Sequence, residues 1–212
     1  MKRFFSVTSL MLVASLSTMA QDYPKAEVFG GYSFLHADDS LSFRSAGGAN
    51  LHGWNASVTA NLNRWFGLTA DFSGHYDSSS SVQELVPPFP PGFPPIPTFT
   101  TTVKSSTNVH TFLVGPRFSY RKNEKITPFA HVLFGVSRRH LDSDVSFIGF
   151  GRTSFSANDT SFAGAVGGGL DVAMGKNLAL RVIQADYLLT RAFGNNANNA
   201  RISTGIVFRF GR

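Results

Sequence analysis

The stretch from Arg201 to Phe210, RISTGIVFRF, alternates in chemistry at a period of two. Ile202, Thr204, Ile206, Phe208 and Phe210 form one set, and Arg201, Ser203, Gly205, Val207 and Arg209 form the other. That period is the side-chain repeat of a β-strand, so the two sets face opposite sides of a sheet. One side is large and apolar, and the other carries two arginines. In a water-soluble barrel the apolar side points inward. In a membrane barrel it meets lipid, and the arginines enter a polar lumen. The rest of the chain decides between the two.

Seven further segments read as strands: 26–35, 51–62, 65–76, 108–120, 126–138, 160–174 and 178–191. With 201–210 they make eight, each near or above the ~9–11 residues that a tilted strand needs to cross a bilayer. Short turns follow strands two, four and six, at Asn63–Arg64, Arg121–Lys125 and Gly175–Asn177. Longer polar loops follow strands one, three, five and seven, at 36–50, 77–107, 139–159 and 195–200. Alternation of short periplasmic turns with long extracellular loops is the pattern of an outer-membrane barrel, and an even strand number places both termini in the periplasm. Pro116 interrupts hydrogen bonding in strand four and points to a local bulge. Within the longest loop, Val86–Pro97 reads VPPFPPGFPPIP. Prolines cannot donate to a ladder, so this is extended, polyproline-type chain.

Sorting the strands by parity gives the strongest argument. One face collects Glu27, Asn55, Asn61, Asp71, His75, Arg117, Asp171, Gln184, Asp186 and Arg209, and the other is almost wholly apolar. In strand seven, polar and apolar residues exchange sides near Val182, because Arg181 would otherwise face lipid; a β-bulge is expected there. Trp65, Phe66, Phe118, Tyr120, Phe208 and Phe210 gather at the short-turn ends. Tyr32, Phe34, Trp54, Phe72, Tyr76 and Tyr187 lie toward the long-loop ends. Two aromatic girdles around an apolar band are a membrane signature. The fold expected is therefore all-β: an eight-stranded antiparallel up-and-down transmembrane β-barrel.

Composition agrees. Charged residues are 15% of the 212, against a usual quarter, and cysteine is absent,. No disulfide or thiolate site is available. No window approaches the ~18–20 apolar residues of a spanning helix. Residues 1–20 read as a signal peptide: Lys2 and Arg3 are the basic region, Phe4 to Leu16 the apolar region, and Thr18 and Ala20 the small residues before a cleavage ahead of Gln21,. Residues 21–212 are the barrel domain, with a proline-rich extracellular loop at about 78–106. Losing Lys2 and Arg3 lowers the net charge of +6 by two. The remainder is modest and carries no nucleic-acid signature.

The WNASVTANLNRWFGL stretch (Trp54–Leu68), the QADY of strand seven (Gln184–Tyr187) and the closing VFRF (Val207–Phe210) resemble the OmpA-type transmembrane domain and the wider porin-like family of small outer-membrane β-barrels. The resemblance covers about residues 23–212. It implies a Gram-negative outer membrane, surrounding lipid and lipopolysaccharide, a monomer, and insertion by the barrel-assembly machinery, which reads a terminal aromatic. Here Gly211 and Arg212 follow Phe210, so that signal is displaced by two residues. No peptidoglycan-binding domain is expected after the barrel.

Candidate chemistry is sparse. None of the histidines (His36, His52, His75, His110, His131 and His140) has metal-ligand spacing,. Asp71 and His75 share a face but stand roughly 13 Å apart along a strand, which suits an interior polar network. One class of barrel deacylases carries His-x-Ser on a lipid-facing strand; no histidine here has serine two residues later. Gly167–Gly169 lacks the Lys-Ser or Lys-Thr of a phosphate loop and suits close strand packing. No catalytic residue, cofactor or metal site is expected.

The expected lumen network is Glu27, Asp71, His75, Arg117, Asp171, Gln184, Asp186 and Arg209. In it Arg117 and Arg209 draw on the carboxylates, because a lone buried charge is costly. Arg138, Arg139 and His140 at the outer rim are candidates for lipopolysaccharide phosphates. Phe89, Phe93, Ile96 and Phe99 in the proline-rich loop are candidates for contact with an extracellular ligand. Two functions follow: a structural or surface-interaction protein with the barrel as anchor, or a narrow porin-like channel for small solutes. A lipid-modifying enzyme ranks third.

Overall fold

The computed structural model describes residues 23–37, 49–85, 99–123, 125–147, 151–192 and 195–211. The signal-peptide reading of residues 1–20 lies outside these. Eight strands follow in order: β1 (Ala26–Ala37), β2 (Ala49–Asn61), β3 (Phe66–Leu85), β4 (Phe99–Ser119), β5 (Ile126–Phe147), β6 (Gly151–Ala173), β7 (Leu178–Ala192) and β8 (Asn195–Phe210). Each pairs antiparallel with its chain neighbour, and β1 pairs with β8 to close the barrel. Closure leaves no unpaired edge around the ring, as a lipid-embedded sheet requires.

The start of β1 and the end of β8 sit at the rim of the short turns, where the Lys25 N–H donates to the Phe210 carbonyl at 2.9 Å. Local chemistry shapes these turns. The Asn63 side-chain oxygen accepts from the N–H groups of Trp65 (2.8 Å) and Phe66 (2.9 Å), and that of Asn123 accepts from the Lys125 N–H (2.8 Å). A side-chain carbonyl standing in for a backbone turn partner is what asparagine supplies.

The other rim corrects the sequence reading. β3 to β6 run 20, 21, 22 and 23 residues, well past the segments expected for them. The β2–β3 ladder ends at His52↔Tyr76, yet β3–β4 continues to Leu85↔Phe99. The β6–β7 ladder ends at Ala163↔Thr190, yet β5–β6 continues to Phe147↔Gly151. Four strands therefore project beyond the closed barrel as one wall, and residues 77–85 alone span roughly 30 Å of strand. The expected loop at 78–106 is strand over 78–85 and 99–106; its proline-rich middle, 86–98, lies outside the described residues. The expected loops at 139–159 and 195–200 are also mostly strand. Only residues 148–150 separate β5 from β6, and 193–194 separate β7 from β8, so long loops after strands five and seven are not found. Outside a bilayer a strand needs no apolar face, so its serine- and threonine-rich sequence lacks the alternation that marks the barrel strands.

Two further points concern register. Pro116 does not make a bulge: β4–β5 pairing stops at Val114↔Phe134 and resumes at Arg117↔His131 in unchanged register. The expected bulge in β7 is present. Leu170 pairs with Ile183 and Asp171 with Arg181, leaving Val182 extra. Val182 and Ile183 consequently both face outward, at 46% and 45% exposure, while Arg181 and Gln184 are buried.

The outward face is apolar, with Val58, Leu68, Phe112, Phe134, Val166 and Ile202 all exposed. Aromatic pairs bound this band at the short-turn rim: Trp65 with Tyr120 at 5.3 Å and Phe66 with Phe118 at 5.2 Å between ring centroids. At the other rim Trp54 donates from its indole N–H to the Tyr76 hydroxyl at 3.4 Å, and Tyr76 and His110 share a 3.1 Å hydrogen bond. A continuous belt of this kind is unsuited to water and suited to lipid.

Candidate functional site

The lumen holds side chains from every strand, and its chemistry changes along the barrel axis. Toward the short turns it is an ion-pair network. Glu27 on β1 faces Arg209 on β8, directly opposite in register; the Arg209 Nε lies 3.2 Å from Glu27 Oε1. The same carboxylate takes Arg121 at 3.2 Å and lies 3.6 Å from Arg117. Arg117 then reaches Asp171 at 2.9 Å. Asp171 also holds Arg181, through Nε at 2.8 Å and Nη2 at 3.2 Å, a two-point grip that fits the guanidinium fork,.

The network continues upward. Arg181 donates to Gln184 at 2.7 Å, and Gln184 donates to Asp186 at 2.8 Å. Asp186 accepts Arg201 through Nε at 2.9 Å and Nη2 at 2.7 Å, and shares a 2.8 Å contact with His131. Arg201 also donates to Asp71 at 2.8 Å, and Asn55 donates to the other Asp71 oxygen at 2.9 Å. The arginines also stack on rings: Arg117 lies 3.8 Å over Phe129, and Arg181 lies 4.2 Å over Phe29 and 4.4 Å over Phe129. A ring face is an acceptable neighbour for cationic charge that carboxylates do not fully match.

All eight residues expected in the lumen are buried there. Seven of them join this network; His75 does not. It bonds instead to Ser33 at 2.9 Å, and Ser33 to Ser203 at 2.9 Å, so Asp71 and His75 have separate partners. Sequence reasoning left out Arg181, Arg201, Arg121 and His131. Parity already pointed Arg201 inward, and the bulge pointed Arg181 inward. Arg121 lies in a turn, where parity says nothing.

Toward the projecting wall the lumen gains an apolar cluster, set among the buried polar side chains of Ser33, Ser73, His75, Thr111, Ser137 and Asn199. Leu35, Ala37, Leu51, Val109, Leu113, Leu133, Ala163, Ala165 and Leu188 form one buried cluster drawn from six strands. This layer was not expected, because the inward face was read as polar along its whole length. Leu35, Leu51 and Leu188 lie at or near the outer ends of their segments, where two or three residues set no pattern, while Leu113 and Leu133 are single apolar residues in the middle of a polar inward face.

The rim residues divide. Arg138 is exposed on the outward face, but Arg139 is buried in the lumen at 5% exposure. That position removes Arg139 from the expected lipopolysaccharide contact. His140 bonds to Asn158 at 2.6 Å and to Asp142 at 2.9 Å. Of the loop candidates, Phe99 opens β4 opposite Leu85; Phe89, Phe93 and Ile96 lie outside the described residues. The outer surface of the wall has a recess of about 260 Å³ lined by Ser78, Ser79, Ser80, Lys104, Ser105, Ser106, Asp142 and Asp144. Hydrogen bonds from Ser154 and Arg152 hold the Asp144 carboxyl below its ordinary range, so it stays charged,.

Comparison with known proteins agrees with this architecture. Among solved structures, Ail, the attachment invasion locus protein of Yersinia pestis, determined with the heparin analogue sucrose octasulfate, is 19% identical. It superposes with a TM-score of 0.54 over 88% of this chain and 99% of that one. Neisserial surface protein A is 13% identical, with a TM-score of 0.49 over 90% of this chain and all of that one (100%). At 19% identity the likeness to Ail indicates a shared fold alone. No curated protein sequence matches. Residues 6–210 match the family described as outer membrane protein beta-barrel domain. A closed eight-stranded barrel with a lipid-suited exterior and a match of that extent mean that the chain belongs to the outer membrane protein beta-barrel domain family.

Proposed function

We propose that this is a surface-interaction protein: the barrel is a sealed anchor in the outer membrane, and the β3–β6 wall, with the proline-rich segment between β3 and β4 in the sequence, works outside the cell. The observation that carries this reading is the filling of the lumen. Eight strands leave an interior just wide enough for side chains. Here a charged network fills one half of it, and an aliphatic cluster together with buried Ser33, Ser73, His75 and Thr111 fills the other, which argues against a solute path. Export by the signal peptide and two periplasmic termini complete the topology, with the wall on the cell exterior.

A binding role fits better than catalysis. The close Ser33–His75 and His131–Asp186 contacts are buried in the lumen, away from any substrate. The Ail structure holds a polysulfate. The recess on this wall mixes hydroxyls, one lysine and two aspartates, which suits a neutral, hydroxyl-rich ligand better than a polyanion,.

Two measurements test the reading. In planar bilayers the refolded protein should give no steady single-channel conductance; discrete, reproducible conductance steps would favour the narrow-channel alternative. Deleting Pro87 to Pro97 should leave heat-modifiable gel migration intact and abolish binding of cells to their surface ligand. Failure of that variant to assemble would make the segment part of the barrel's own structure.

A further inference from the structure

A groove of about 510 Å³ runs along the outward face of β5, β6 and β7, within the ~300–1,000 Å³ range of ligand sites,. Its lower rung is Val132, Val166 and Tyr187, which are neighbours in register. Its middle rung is Phe134, Gly164 and Leu189. Phe162 closes its upper end, stacked on Phe134 with ring centroids 6.5 Å apart, and Arg191 lines the same end.

The groove exists because residue 164 has no side chain. Most strand glycines of this barrel are there for backbone packing: a Cβ on Gly31, Gly115, Gly135 or Gly205 would lie 2.0–2.3 Å from a carbonyl oxygen. A Cβ on Gly164 would meet nothing closer than 3.7 Å. The backbone does not require glycine there; the absent side chain only leaves an apolar trough open toward the membrane.

The upper end of the trough is cationic. Arg191 follows Thr190, the last β7 residue paired with β6. Arg138 pairs with Thr160, one outward position above Phe162. Both arginines are exposed on the outward face. The first outward-facing carboxylate above Arg138 on β5, Asp142, is engaged by His140 at 2.9 Å.

We infer that this groove binds one acyl chain of the lipid A part of lipopolysaccharide, with Arg191 and Arg138 on its phosphate. The trough lies in the half of the barrel nearer the projecting wall. On the orientation proposed above, that half meets the outer leaflet. Membrane lipid is as apolar as the trough, so burial alone gives no preference. Selectivity comes from close packing against the Phe134–Phe162 stack and from charge-assisted hydrogen bonds to the phosphate.

The experiment is native mass spectrometry of the full-length mature barrel refolded with equimolar lipid A and phosphatidylglycerol. Wild type should retain lipid A in preference to phosphatidylglycerol. Gly164→Leu, which fills the trough, should lower that retention at least tenfold. Gly30→Leu is the control: it adds the same bulk at another outward site with nothing within 4 Å of its Cβ, and should leave retention unchanged. Joint Arg138→Gln and Arg191→Gln should abolish the preference for phosphorylated over dephosphorylated lipid A. Equal retention by wild type and Gly164→Leu would overturn the site, as would equal retention of the two lipids by wild type.

A separate measurement isolates the orientation on which the site rests. The chain has no cysteine, so Ser80→Cys gives a single thiol for an impermeant label. Labelling of intact cells without lipid A retention sinks the site alone. Labelling only after permeabilisation sinks the orientation, and with it the outer-leaflet occupant.

Discussion

Toward the short turns, up to the level of Gln184 and Asp186, arginines and carboxylates hold the barrel interior together; above them, leucines and alanines do, with short neutral hydrogen bonds such as Ser73–Thr111 among them. Both halves lie inside the same ladder, and both are buried. They differ in what they demand of their neighbours. A guanidinium buried in the lower half must find specific acceptors at specific angles, and so ties strands far apart in sequence: Arg201 on β8 reaches Asp71 on β3. A leucine in the upper half needs only volume filled around it. The lower half therefore fixes register, and the upper half seals. The lower half also carries a surplus of one positive charge, five arginines against four carboxylates, and the rings of Phe29 and Phe129 lie against it.

The largest effect that separates the halves should come from Arg201→Met. This change strands two buried carboxylates, Asp71 and Asp186. Removing one partner of a buried pair costs about 3–5 kcal/mol, and the double partnership puts this case at the top of that range. The urea midpoint of the refolded barrel in detergent should fall accordingly. An unchanged midpoint would mean that water hydrates the lower lumen, and the contrast between the halves would disappear.

Leu133→Ala should come next, at about 3 kcal/mol, the middle of the usual range for a buried leucine. Leu133 is fully buried, and its cluster neighbours Ala163 and Ala165 are too small to fill the space. The loss should appear in the same urea titration, with no dependence on salt. A salt-dependent loss would show that the upper half, too, is held by charge.

Legibility in the sequence follows the same division. Eight strands and their inward and outward faces could be read directly, because lipid on one side and a crowded lumen on the other force alternation at every position. The β7 bulge was legible for the same reason: Arg181 and Gln184 are three residues apart and both must face inward, which requires one extra residue between them. The projecting wall was not legible, since segments such as Ser78–Ser80 and Ser143–Ser146 lie beyond the closed barrel, are polar on both faces, and have no alternation imposed on them. Arg201 was missed as a network member because it borders residues 195–200, whose asparagines read as a loop. The apolar layer was missed because an inward leucine breaks a polar pattern rather than making one. Which carboxylate each arginine takes depends on rotamers and barrel curvature, which a period of two does not encode.

Arg139 belongs to neither half, and its replacement should have the smallest effect. It lies on β5 between Ser137 and Leu141, inward and buried, beside Val109 of the apolar layer in register. Asp159 is opposite it on β6. Its Nε and Nη1 have no hydrogen-bond partner among the described residues. A buried donor without an acceptor costs about 1–3 kcal/mol, and this offsets the attraction of Asp159. Methionine would keep the length and apolar stem of the side chain and extend the leucine layer by one position. Asp159 is half-buried near the mouth and would be hydrated after the change. Arg139→Met should therefore leave the urea midpoint within about 1 kcal/mol of wild type, with the sign toward stabilisation. A loss as large as that of Arg201→Met would mean that Arg139 and Asp159 form a second ionic layer above the leucines, and the interior would then be a sandwich of charge, apolar seal and charge.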